Sequence, residues 1–212
     1  MLTNNGAMCL WQSDPHFLAA SDNLQTLIDK ERLFILYQTL RQVLSLSGDI
    51  AECGVYRGGS ALMLARLVLL LGKVKTLHLF DTFAGMPDTN PAIDVHRKGD
   101  FADTSLAQVR EYLRDFSNTV SFYPGLFLQT LPQVSHLSFS MVHVDCDIYE
   151  SVLQCCSFFY PRMQPGGVLV YDDYGFPSCP GAKMAVDSFF ADRPEQPVYL
   201  PTGQAVVFKT GI

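Results

Sequence analysis

Met141-Val142-His143-Val144-Asp145-Cys146-Asp147 reads as a buried β-strand that ends in two carboxylates one residue apart. A second stretch of the same kind follows downstream, Gly167-Val168-Leu169-Val170-Tyr171-Asp172-Asp173. Short apolar runs bounded by turn residues suit the central strands of a sheet covered on both faces. Side by side and parallel, the two strands would crowd four carboxyl groups at one edge of the sheet. Like charges that close repel unless protons or a cation hold them together. The expectation is a metal site beside a catalytic base, with the rest of the chain bringing a substrate to it.

Upstream, Asp49-Ile50-Ala51-Glu52-Cys53 reads as a strand that runs into Gly54-Val55-Tyr56-Arg57-Gly58-Gly59-Ser60, a glycine-rich turn opening an apolar helix over residues 61–71. Lys75-Thr76-Leu77-His78-Leu79-Phe80-Asp81 is a further acid-terminated strand. The polar loop 82–100 is long for a compact domain and reads as a functional lid or a mobile segment. Beyond it, helices are expected over 103–116, 149–160 and 180–191, and strands over 119–123, 139–145 and 168–171. Residues 198–200 and 205–209 flank Pro201-Thr202-Gly203-Gln204 and read as a hairpin that puts a reversed strand at the sheet edge. A helix is expected to begin at Ser21 or Asp22 and run to Ser47-Gly48. Alternating strands and helices make a doubly wound, Rossmann-like, mostly parallel α/β sheet. Residues 22–212 form one domain, and residues 1–21, which show no clear period, form a segment free to be mobile.

Composition narrows the function. Of 212 residues 48% are hydrophobic and 17% charged, which fits a globular domain. A net charge of −6 with no Lys/Arg run argues against nucleic acid as the main partner. The six cysteines show no zinc-ligand spacing and read as reduced thiols in a cytoplasmic protein. No signal segment is evident, and the longest apolar stretch is too short to span a bilayer, so no membrane partner is expected.

In an open α/β sheet the ligand crevice lies beyond the carboxyl ends of the strands, where Glu52, Asp81, Asp145, Asp147, Asp172 and Asp173 fall. Glu52-Cys53-Gly54 is not the dinucleotide fingerprint. An acid before the first glycine sits badly beside pyrophosphate but suits S-adenosyl-L-methionine, which carries cations and a ribose and no phosphate. Asp81 can accept from ribose hydroxyls, Phe83 can flank an adenine, and Gly85 permits close backbone approach. Asp145, Asp172 and Asp173 offer all-oxygen ligation suited to Mg²⁺. Asp147, just past the strand, is left as a base for a hydroxyl nucleophile. His143 shares the parity of Asp145 and reads as a hydrogen-bonded core histidine. Tyr56 and Arg57 border the glycine turn, within reach of a cofactor carboxylate.

Taken together, Glu52–Ser60, Asp81-Thr82-Phe83-Ala84-Gly85-Met86-Pro87, His143–Ser151, Pro165-Gly166-Gly167, Tyr171–Tyr174 and Cys179–Asp187 resemble the macrocin O-methyltransferase (TylF-type) family. The resemblance implies a class I methyltransferase fold that uses S-adenosyl-L-methionine and Mg²⁺ to methylate a hydroxyl of a sugar or glycosylated natural product. It assigns Glu52, Cys53, Gly54, Val55, Tyr56, Gly58, Gly59, Ser60, Asp81, Thr82, Phe83, Ala84 and Gly85 to the cofactor. Thr26 and Leu27 match a segment that covers the cofactor, and Ser105 is placed near the adenosine. Asp145, Asp172 and Asp173 would hold the metal, with Asp147 as base. Cys146 stands where the family has a small glycine, and little sequence precedes Thr26 to build an N-terminal lid or oligomer arm; a homo-oligomer remains compatible. The rival readings are a metal-dependent methyltransferase of catechol-like phenols and a non-catalytic cofactor-binding protein.

Overall fold

The structure is a computed structural model that describes residues 9–211. Seven strands form one sheet: β1 (Asp49–Cys53), β2 (Leu77–Asp81), β3 (Val120–Pro124), β4 (Phe139–Val144), β5 (Met163–Tyr171), β6 (Val198–Tyr199) and β7 (Ala205–Phe208). Their order is β3-β2-β1-β4-β5-β7-β6. The pairs from β3 to β5 are parallel, and β7 runs antiparallel to both β5 and β6. The reversed strand therefore lies one place inside the edge, with two-residue β6 outermost, a correction to the expected edge position.

The chain winds outward through β1, β2 and β3, then jumps back to lay β4 on the other side of β1. That reversal opens a crevice at the carboxyl ends of β1 and β4. The register fixes what meets there: Cys53 pairs with Val144, and Val144 with Tyr171, so Gly54, Asp145 and Asp172 leave the sheet at one level.

Alternation along the strands divides the core in two. Ile50, Met141, Val168 and Val170 face the layer containing α2 (Lys30–Val43) and α3 (Gly59–Leu70). Ala51, Val142, Val144, Leu169 and Tyr171 face α6 (Tyr149–Phe159) and α7 (Pro180–Phe190). On α2, Leu33, Leu36, Tyr37, Leu40 and Val43 recur at helical spacing and are buried. Fully burying each leucine contributes about 1.5–3 kcal/mol. Two short helices, α4 (Leu106–Tyr112) and α5 (Phe127–Thr130), flank β3.

The N-terminal region differs from expectation. Helix α2 starts at Lys30, capped by Asp29, whose carboxylate accepts from Arg32 N at 2.9 Å. Residues 22–29 instead cross the start of α3. Arg66 fixes them by donating to the carbonyls of Ala20 (3.1 Å) and Asp22 (2.7 Å). Ahead of them α1 (Pro15–Ala20) buries Phe17 and Ala20 completely, so this stretch belongs to the core. The expectation for residues 1–8 lies outside the described residues.

Candidate active site

A cavity of about 760 Å³ opens over the carboxyl ends of β1, β2 and β4. Its floor rests on Gly54, whose φ of +88° excludes most side chains. An added Cβ there would fall 1.7 Å from the Asp145 carbonyl oxygen, so this position admits only glycine where β1 and β4 part. Gly59 plays the matching role at the rim: its Cβ would strike the Gln25 carbonyl oxygen at 2.5 Å. Its absence lets the crossing segment lay Thr26 and Leu27 over the cavity.

Asp81 closes the two turns that border the cavity. One oxygen accepts from Val55 N (2.6 Å) and Tyr56 N (2.9 Å), the other from Phe83 N (2.6 Å). These bonds order the glycine turn, and Asp81 still lines the space. Of the residues singled out in sequence, Thr26, Leu27, Gly54, Val55, Tyr56, Gly59, Ser60, Asp81, Thr82, Ala84 and Gly85 line the cavity, as do Asp145, Asp147 and Asp173.

Others do not face it. Phe83 turns into the core and packs against Phe122 with ring centroids 6.1 Å apart. Cys53 points to the α6 side of the sheet. Gly58 begins α3 in the left-handed region, next to Val109. Ser105 caps α4 by accepting from Gln108 N at 3.3 Å. Arg57 pairs with Asp103, which also accepts from the Tyr56 hydroxyl at 2.7 Å. Glu52 is wholly buried and engages His143 Nδ1 at 2.8 Å.

That pair belongs to a chain of charge beneath the cavity. His143 Nε2 approaches Asp172 Oδ1 at 3.5 Å, too far for a formed hydrogen bond, and both groups are fully buried. Asp172 Oδ1 accepts from Gln204 Nε2 at 2.7 Å, and its Oδ2 is paired with Arg32 of α2. Burial opposes a charged imidazole, yet Asp172, Glu52 and Asp145 together hold the His143 pKa well above its usual value. Burial also pushes Asp172 up, but His143, Arg32 and Gln204 outweigh it and hold this carboxyl below the usual range.

The remaining acids behave oppositely. Burial and then the Asp172 charge push Asp145 well above the ordinary carboxylate range. Asp173 is pushed the same way by burial and by Asp147, Asp145 and Asp172. Asp147 is raised chiefly by burial, with His96 and Cys179 partly offsetting it. Its backbone is left-handed at φ +59°, and its N–H donates to Asp173 Oδ2 at 2.9 Å. That bond aims its side chain into the cavity instead of onward along the strand.

The donor set fits a hard cation in part. Asp145 accepts no hydrogen bond at its carboxylate among the described residues, and Asp173 accepts one, so both keep acceptor oxygens open, Asp145 in a half-buried place and Asp173 in a buried one. Asp172 lies with Asp145 and His143 in a group whose ligand atoms are within 4.8 Å of one another, but both its oxygens already have partners. Asp145 and Asp173 therefore keep carboxylate oxygens open to a cation, whereas those of Asp172 are already engaged. Arg32, Gln204, His96 and Cys179 were not singled out from sequence. Each approaches the acids from a distant stretch, and no local spacing announces them.

A doubly wound sheet with a reversed strand near one edge, a glycine turn after β1 and acids at the tips of β4 and β5 defines the class I methyltransferase fold. The solved structure of the O-methyltransferase NovP superposes with a TM-score of 0.79 at 28% identity, covering 89% of this chain and 83% of that one. The calicheamicin methyltransferase CalS11 shares the fold at TM-score 0.75 and 20% identity, covering 92% and 93% of the two chains. Residues 20–204 match the macrocin-O-methyltransferase (TylF) family, and the chain belongs to it. Demethyldecarbamoylnovobiocin O-methyltransferase of Streptomyces niveus is 31% identical over 80% of this chain and 69% of its own length. Mycinamicin III 3''-O-methyltransferase of Micromonospora griseorubida is 33% identical over 73% and 66%. The chain thus spans about two thirds of the length of these relatives. No helix among the described residues is long and apolar enough to cross a membrane.

Proposed function

We propose that this protein transfers the methyl group of S-adenosyl-L-methionine to a hydroxyl of a sugar or glycosylated natural product, with Asp147 as the base. The observation that carries this reading is the position of Asp147. It stands on the cavity wall at the switch point of the sheet, held off the β4 axis by Asp173, with the glycine turn across the same cavity.

The cofactor supplies an electrophilic methyl group on a sulfonium. Gly54 and Gly59 let β4 and the crossing segment close in on the start of α3, and Thr26 and Leu27 cover that end of the cavity. Asp145 and Asp173, with Asp172 sharing, would hold Mg²⁺, which favours an ionised acceptor oxygen. Asp147 takes the acceptor's proton, and burial raises its proton affinity above that of an ordinary aspartate. Orienting two bound reactants contributes roughly 7–11 kcal/mol to lowering the barrier. Leu126 and Leu128 expose apolar surface at the mouth, which suits an acceptor with an apolar portion next to its sugar. The O-methyltransferases named above as relatives support the same kind of reaction.

Methyl-labelled cofactor incubated with a panel of glycosides and of catechols tests this. Transfer to a glycoside hydroxyl, abolished by EDTA and restored by Mg²⁺, is expected. Transfer confined to catechols would replace the acceptor class, and full turnover in EDTA would remove the metal.

A further inference from the structure

A second set of donors, unlike the carboxylates of the metal assignment, converges on the cavity. His96 comes from the loop after β2, and Cys179 from the residue before α7. His96 Nε2 lies 3.6 Å from Asp147 Oδ1, and Cys179 Sγ lies 3.3 Å from the same oxygen. All three ligand atoms fall within 4.8 Å of one another. A tetrahedral zinc ion bound at about 2.0–2.3 Å by imidazole, carboxylate and thiolate spaces its donors about 3.3–3.6 Å apart. Two of the three separations already have that size.

The histidine is also prepared for the role. Its Nδ1 meets Asp100 Oδ2 at 3.1 Å, which leaves Nε2 as the nitrogen facing Asp147. A carboxylate behind the ring is the usual support of a metal-bound histidine. Two loops bring these residues in, each pinned where it matters. Asp94 accepts from Tyr149 N at 2.9 Å, tying the His96 loop to the start of α6, and the Cys179 N–H donates to the Phe176 carbonyl at 2.9 Å.

We propose that His96, Asp147 and Cys179 form a second metal site, selective for a thiophilic divalent ion such as Zn²⁺, with its fourth position open to the cavity. Nitrogen, sulfur and oxygen together favour zinc over magnesium, whereas the oxygen set at Asp145 and Asp173 favours the reverse. Binding forms a metal–sulfur bond, and the Cys179 thiol proton passes to solvent; no oxidation is involved. Where Asp147 is the base, as the preceding reading has it, an ion at this site occupies that base and stops turnover.

The test begins with metal alone. Protein saturated with Mg²⁺ is titrated with Co²⁺ and followed by absorbance, then back-titrated with Zn²⁺ against a chromogenic chelator. A thiolate-to-cobalt charge-transfer band that Zn²⁺ removes is expected in the wild type and absent in Cys179→Ser. Zn²⁺ affinity falls about tenfold or more in His96→Ala, Cys179→Ser and Asp100→Asn and stays unchanged in Asp115→Asn, an exposed change away from the cavity. Circular dichroism confirms that each variant is folded, and the wild-type band needs no variant. Absence of the band in the wild type, or equal Zn²⁺ affinity in wild type, His96→Ala and Cys179→Ser, overturns the site. Zn²⁺ bound with the band present but turnover intact upholds the site and removes Asp147 as base instead.

Discussion

Asp145 and Asp147 are two positions apart, and their surroundings give them different duties. Asp145 sits at the end of the β4 ladder, its N–H donating to the Cys53 carbonyl at 2.8 Å, with a carboxylate that is unpartnered among the described residues and lies beside Asp172. Asp147 has left the ladder and meets His96 and Cys179. Because burial raises its pKa, the base is protonated, and activity lost, as pH falls through a value above that of an ordinary aspartate. The acid limb of kcat/KM against pH is therefore expected above about 3.9. A limb at or below that value would show that another group sets it. His143 is the other decisive residue. Replacing it with leucine strands Glu52, which has no second partner among the described residues, and is expected to cost about 3–5 kcal/mol in chemical denaturation. A loss under 1 kcal/mol would mean that the His143–Glu52 pair does not hold this part of the fold together.

Among the elements, the loop between β2 and α4 does most to complete the site. It carries Met86, His96 and Phe101 to the cavity. Its anchor is Asp94, which accepts from Asn90 N (3.0 Å) and, as a cap supplied from outside the helix, from Tyr149 N (2.9 Å). Asp94→Ala is expected to cost about 1 kcal/mol and to raise the acceptor KM more than the cofactor KM, measured by initial rates with each varied. An equal rise in both would argue that the loop serves the cofactor. The role of this loop was legible as length and polarity; its contacts were not. The start of α2 was misread for a clear reason. Leu24, Leu27 and Ile28 recur at helical spacing, but Ile28 is buried in the core while Leu27 is exposed over the cavity. A crossing segment can imitate a helix when its apolar residues serve two surfaces. Phe83 and Ser105 were similarly plausible ligand residues that the packing of β3 and the capping of α4 claim instead.

For the whole molecule, the order of strands and helices carried most of the fold, since alternation and acid-terminated strands already require a parallel sheet with its crevice at their carboxyl ends. The four acids at the β4 and β5 tips were legible for the same reason. Arg32 and Gln204 were not: they reach Asp172 from α2 and from the turn before β7, across separations no local pattern records. With His143, they hold Asp172 below the usual carboxylate range while its neighbours are pushed above it. The central claim, that this arrangement moves a proton from an acceptor hydroxyl to Asp147 during methyl transfer, meets its most direct test in Asp147→Asn. Single-turnover methyl transfer is measured with cofactor and Mg²⁺ saturating, and cofactor affinity by calorimetry on the same sample. The account predicts cofactor affinity within about threefold of wild type and a transfer rate lower by about 10²–10⁴-fold. Transfer at the wild-type rate with the cofactor bound would contradict it.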